Sequence, residues 1–212
     1  MTNTVGYIIN HPAGPEGQQG IGYDYVLAGS GLYVQAESPH LVARVRVSTV
    51  QVKGLEPVNE KVQLPHGLIP SFLFLLALDA CIANHREERF YAIRWQGGRY
   101  ELVEPSQEAT AATLSYNVIQ DAVLEMHSHG QMRAFFSTTD NADELGFRIY
   151  GVGGGLDQLI PEVNFRVGVY GHWSSVSWPE LFSGPKPAVK FTGPFGDHEV
   201  EDVLPDEPIL DR

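Results

Sequence analysis

Residues 123–140, VLEMHSHGQMRAFFSTTD, place the tightest constraint on what this chain can fold into. A β-prone run from about Ala122 ends in His127-Ser128-His129, and Ser137-Thr138-Thr139-Asp140 carries side chains that cap the start of a helix. Strand, loop and helix entry must therefore follow one another directly. Positions two apart on a strand share a face, so if the strand reaches that far, His127 and His129 project together with Cα atoms roughly 7 Å apart. Asp140, eleven residues after His129, can be returned to the same strand end by a loop of ordinary length. Two imidazoles and a carboxylate suit Zn²⁺, and three protein ligands leave a fourth tetrahedral position open for water, as in catalytic rather than structural zinc sites.

The rest of the chain is read around that segment. Residues 22–52 alternate short β-prone runs (Tyr23 to Ala28, Leu32 to Gln35, Leu41 to Val52) with turn residues, which gives a β-rich N-terminal region over residues 1–60. The stretch from Pro57 to Pro70 reads as a linker that delivers Pro70 and Ser71 to a helix start. From Ser71 to about Asn84 the sequence is apolar on nearly every side, which predicts a helix packed between layers. Strands are expected over Arg89 to Trp95 and Tyr100 to Val103, joined at Gly97-Gly98, and over Phe147 to Val152 and Val163 to Tyr170, with the glycines of Gly151 to Gly155 as a hairpin turn. Residues 61–180 then form the main domain, and 181–212, rich in proline and acid, a flexible tail.

Composition narrows the function. With 43% hydrophobic and 19% charged residues, the 212-residue chain has enough apolar side chains for one core. A net charge of −12 and the lack of a basic run argue against a nucleic-acid partner. No secretory signal or membrane-length apolar run is evident, and the lone Cys81 fits a reducing compartment, so the expected location is cytoplasmic, away from membranes. His11, His40, His66, His85 and His198 lack partners at ligand spacing, and His172 reads as a packed or surface residue.

Hydrolysis of an amide at such a site needs a general base and a donor to the developing oxyanion, and Ser137, three residues before Asp140, is well placed to be that donor. The whole string, His-Ser-His, seven residues, Ser, two residues, Asp, matches H-[ST]-H-x7-S-x2-D. It resembles the signature of the JAB/MPN (JAMM) zinc metallopeptidases, and the resemblance covers about residues 65–175. It implies an α+β fold with a mixed β-sheet flanked by helices in cytidine-deaminase-like layering, preceded by the β-rich extension. It also implies His127, His129 and Asp140 as zinc ligands and Ser137 as oxyanion stabiliser. The family's general base is a glutamate between the first helix and the next strand; HREERFYAIRW stands there, which makes Glu88 the first choice and Glu87 the second. Arg86 replaces the family's usual proline, and Arg89 and Arg94 interrupt the apolar strand. Glu125, on the histidines' face, is the rival and reads as a residue that orients a histidine.

The activity implied is cleavage of a peptide or isopeptide bond at the C-terminus of a ubiquitin-like or sulfur-carrier protein. The whole chain, with YDYVLAGSGLYV near its start and RVGVYGHW near its end, is also similar to the bacterial PRTRC-system protein A group, whose cassette includes a ThiF-like (E1-like) protein as a partner. A second reading, of another class, is a non-catalytic MPN-type interaction module.

Overall fold

The computed structural model describes residues 3–109, 114–116, 119 and 121–193. A first sheet of six strands has the order β2-β1-β3-β4-β5-β6, built from β1 (Val5–His11), β2 (Gly14–Gln18), β3 (Tyr23–Ala28), β4 (Gly31–Glu37), β5 (Val42–Ser48) and β6 (Lys61–Gln63). β7 (Ile69–Pro70) leads into α1 (Ser71–Ala83). The strands that follow are β8 (Phe90–Gln96), β9 (Arg99–Val103), the paired β10 (Gln107–Ala109) and β11 (Leu114–Tyr116), and β12 (Ala122–Ser128). After α2 (Thr138–Asp143) come β13 (Phe147–Gly154), β14 (Glu162–Val169), β15 (His172–Ser175), α3 (Trp178–Leu181), β16 (Phe182–Ser183) and β17 (Lys190–Phe191). The second large sheet runs β15-β14-β13-β12-β8-β9, with β17 paired to β14.

Chain chemistry explains the main elements. β3 and β4 alternate buried and partly exposed residues, as expected for strands with one face in a core. β14 is buried along its whole length because it lies inside its sheet with cover on both faces. Gly97 and Gly98 both have positive φ, +62° and +83°, which is what the tight β8–β9 hairpin requires. β2 carries little apolar signal: it is GPEGQ and is almost wholly exposed, so main-chain pairing to β1 alone makes it a strand.

The helix-flanked α+β layering does not form. The described structure is 45% strand and 13% helix, and two of its three helices have only six and four residues. The reason lies in what covers the second sheet. α1 buries Leu73, Phe74, Ala77, Leu78 and Cys81, while the first sheet contributes Val34, Ala36, Ala43 and Val45 to the same core as Ile149, Val163, Phe165 and Val167. A β-sheet therefore fills much of the place a helical layer would take. The outer face of α1 is bare, with Phe72 56% and Leu76 54% exposed, so the helix is not packed between layers. A second, smaller cluster of Ile8, Val26, Ala28 and Tyr33 lies on the opposite face of the first sheet.

Two local expectations also change. The glycine-rich run Gly151 to Gly154 is strand rather than turn, and the stretch read as a linker contains β6, which pairs with β5. Residues 182–183 and 190–191 of the segment read as a tail are strands, and the flexibility expected beyond Gly193 lies outside the described residues. Among the described residues no helix is long and apolar enough to cross a membrane.

Candidate metal centre

β12 is held between β13, parallel, and β8, antiparallel, with His127 opposite Val152 on one side and Phe90 on the other. The ladder continues one residue past the strand: the His129 amide donates to the Gly153 carbonyl at 2.8 Å. Both histidines are thus on extended backbone, and Ser128 between them turns fully inward, where its Oγ accepts from the Arg89 amide at 3.0 Å. His127 and His129 face the same side, with their Nε2 atoms 3.1 Å apart.

Asp140 reaches them from α2. Ser137 is the N-cap: its Oγ accepts from the Asp140 amide at 3.1 Å, and its own amide donates to Asp140 Oδ2 at 2.5 Å. This capping box fixes the carboxylate, whose Oδ1 lies 3.3 Å from His127 Nε2 and whose Oδ2 lies 3.7 Å from His129 Nε2. One ligand atom from each of the three residues lies within 4.8 Å of the others, so the group could hold a metal ion. Two ligands about 2.0–2.1 Å from a tetrahedral ion stand roughly 3.3 Å apart, and the observed separations bracket that value. Side-chain exposures of 12%, 7% and 15% for His127, His129 and Asp140 leave the group mostly desolvated but not sealed from water.

The electrostatics fit a cation at this point. Burial works against charging His127, but hydrogen bonding and charge from Asp140, with Glu144 and Glu88 behind, raise its pKa above the ordinary imidazole value. Burial and the neighbouring His127 lower that of His129. Burial pushes the Asp140 carboxyl up, yet His127 and the Ser137 contacts hold it well below the usual carboxylate range. His129 Nδ1 lies 3.3 Å from the Arg133 carbonyl, which makes it the protonated nitrogen and leaves Nε2 as the donor atom.

Two glycines dock the loop that carries this chemistry. A Cβ on Gly130, whose φ is +57°, would lie 2.6 Å from the His85 carbonyl oxygen, so the absent side chain lets the segment leading to Glu88 pack on the metal loop. A Cβ on Gly154 would lie 2.4 Å from backbone atoms of Met132, Arg133 and Ala134. The glycine run thus serves close backbone approach, which its reading as a turn missed. The buried Glu162 also holds the loop, accepting from the Ala134 amide at 3.2 Å and from Arg133 Nε at 3.3 Å.

The candidate bases separate clearly. Glu88 is half-buried; burial raises its pKa, and it feels the charges of both His127 and Asp140. Glu87 is exposed and accepts from Arg89 Nη2 at 3.1 Å. Glu125 is buried and bound to Arg148 by a very short contact, so its carboxylate is committed elsewhere. His172 hydrogen-bonds the Tyr25 hydroxyl at 3.1 Å and joins the two sheets. Cys81 is buried, and its thiol is pushed up to about 12, chiefly by burial. His40 and His66, which sequence spacing left without partners, meet at 3.0 Å, with His66 stacked on Trp95.

A cavity of about 430 Å³ is lined by Phe136, Asn141, Arg166 and Trp173 from the second half of the chain and by Arg46 and Glu60 from the first, with Asn141 next in sequence to Asp140. Its wall residue Phe136 meets the His127 ring edge-on at 6.4 Å. The fold and the site together define a mostly β protein with a His-His-Asp group near one strand end that could hold a metal ion. No protein-family profile matches the chain, and no curated protein is significantly similar to it.

Proposed function

We propose that this protein is a zinc-dependent hydrolase of peptide or isopeptide bonds, acting at the C-terminus of a ubiquitin-like or sulfur-carrier protein. The observation that carries the reading is the convergence of His127 Nε2, His129 Nε2 and an Asp140 oxygen at 3.1 to 3.7 Å. The reading rests on the site and on the JAMM-like spacing of its residues, not on the layering of the fold. Two nitrogens and one oxygen suit zinc among the common divalent ions, and three protein ligands are the number catalytic zinc sites use.

When bound, the ion would supply a Lewis acid that polarises a carbonyl and makes water more acidic. The chain's own residues supply the rest. Glu88, more basic than an ordinary carboxylate and coupled to the triad, takes a proton from the attacking water and returns it to the leaving amine. Ser137 uses its oxygen to accept from the Asp140 amide, so its hydroxyl proton is free to donate to a developing oxyanion. The cavity beside Phe136 and Trp173 gives room for substrate residues next to the scissile bond, and Arg46 and Glu60 bring the first sheet into that wall. A ThiF-like (E1-like) activating protein is the partner this reading favours.

Elemental analysis of the purified protein beside His129→Ala tests the site. About one zinc per chain is expected, lost in the variant. Cleavage of ubiquitin-like fusions should then stop in Glu88→Ala with zinc retained. Zinc uptake without hydrolysis of any such fusion, and indifference to Glu88→Ala, would instead make the chain a non-catalytic interaction module.

A further inference from the structure

The first sheet turns one face to the shared core, and on its other face a polar row lies beside the patch of Ile8, Val26, Ala28 and Tyr33. Asp24, Gln35 and Arg44 stand opposite one another across β3, β4 and β5. The two-residue period of a strand puts them on the face of Val26 and Tyr33. Gln35 bridges the two charges. Its Oε1 accepts from Arg44 Nε at 3.1 Å and from Nη2 at 2.9 Å, and its Nε2 donates to Asp24 Oδ2 at 3.4 Å. Asp24, 8% exposed, takes the Gly20 amide on Oδ1 at 2.7 Å. An ion pair built for stability alone would bring Asp24 and Arg44 into contact; here an amide keeps them apart.

Arg44 is left with charge and donors to spare. Its Nη1 donates to the Asn59 carbonyl at 3.3 Å, so three of its five N–H groups are used within the protein. Arg94, Arg148 and Arg166 each meet a carboxylate, whereas among the described residues Arg44 meets none. Burial lowers its pKa, because water solvates this half-buried charge incompletely.

Two cavities open on this row, of about 370 and 500 Å³, and Gln19, Gln35 and Arg44 line both. Such volumes suit a small molecule. The larger has Ile8, Val26 and Val58 in its wall, so an apolar surface begins where the guanidinium ends. Lys61, opposite Arg44 on β6, adds a second cation to the smaller cavity. Glu16 and Glu37 also line these cavities, but both are exposed, where water and salt screen them more than they screen Arg44. We propose that this face is a binding site for a small apolar molecule carrying one anionic group, with Arg44 meeting the anion and Ile8, Val26 and Val58 covering the apolar body. The inference is independent of the metal reading.

Octanoate, which has both features, is the probe. Inorganic phosphate supplies an anion without the apolar body, and 1-octanol the apolar body without the charge. Titration calorimetry on the full chain should show saturable octanoate binding at about one site per chain. Binding should be about 10- to 100-fold weaker for 1-octanol and for Arg44→Gln, and phosphate should not match octanoate. Backbone amide NMR signals of Val26, Gln35 and Val58 should move with octanoate while those of His127 and His129 stay. Octanoate that does not bind, that 1-octanol or phosphate equals, or that binds Arg44→Gln undiminished overturns the inference, as does a shift pattern away from the first sheet. If the variant does not fold, the comparison of the three probes on the wild type decides alone. Zinc content enters none of these outcomes, so failure here and failure of the proposed function are told apart.

Discussion

At the scale of single residues, the candidate metal group depends on atoms that are absent as much as on those present. Gly154 faces the backbone of Met132, Arg133 and Ala134, and a Cβ there would stand 2.4 Å from each, so the loop rather than a flexible side chain would have to move. That loop carries the Arg133 carbonyl on which the His129 tautomer depends. Gly154→Ala is therefore expected to cost about 1–3 kcal/mol of stability and to weaken zinc binding, read by urea unfolding and chelator competition. Gly153, one residue earlier, is the matched control, because a Cβ there meets only a Leu156 methyl at 3.8 Å. Equal behaviour of the two alanine variants would show that close packing at Gly154 is unimportant.

Among elements, α2 shows how a weak piece of structure can place a candidate metal ligand, Asp140. Six residues are too few to be helical alone, and the capping box between Ser137 and Asp140 supplies the local order. Ser137→Ala should lose about 1 kcal/mol of stability and also lower zinc affinity, since the cap and the ligand carboxylate are bonded to each other. Ser137→Thr should keep both properties, because its hydroxyl can make the same bond. An alanine variant with undiminished zinc affinity would leave Ser137 without this orienting role. At the other end of the site, β12 and the extended residue that follows it bring His127 and His129 to one side through the two-residue period of a strand, and the parallel pairing with β13 places Gly153 to receive the His129 amide.

Over the whole molecule, the two large sheets share one apolar core. Val34, Ala43 and Val45 of the first pack in the same cluster as Phe74, Ile149, Phe165 and Trp178 of α1, the second sheet and α3, and the hydroxyl of Tyr25 reaches His172 across the joint. Neither sheet can lose its partner without exposing that surface to water. Unfolding in urea is accordingly expected as one transition. Far-UV circular dichroism, which sees both sheets, should coincide with the fluorescence of Trp95, Trp173 and Trp178, all of which lie in the second part of the chain. A circular-dichroism change that precedes the fluorescence change would mean that the first sheet melts separately.

The sequence by itself determined what is local. His127, His129 and Asp140 meet because strand period, loop length and helix cap are set by neighbouring residues, and the same locality made most strands from Tyr23 onward and the helix from Ser71 legible. Strands such as β2 were not legible, because main-chain pairing rather than any apolar pattern defines them. Tertiary structure decided the rest. It covered the second sheet with a β-sheet where helices were expected, since apolar faces far apart in the chain pack into one core. It also brought Arg166 on β14 to Glu144 behind His127, and His40 to His66. Such contacts depend on register and packing between distant elements, which no window of residues contains.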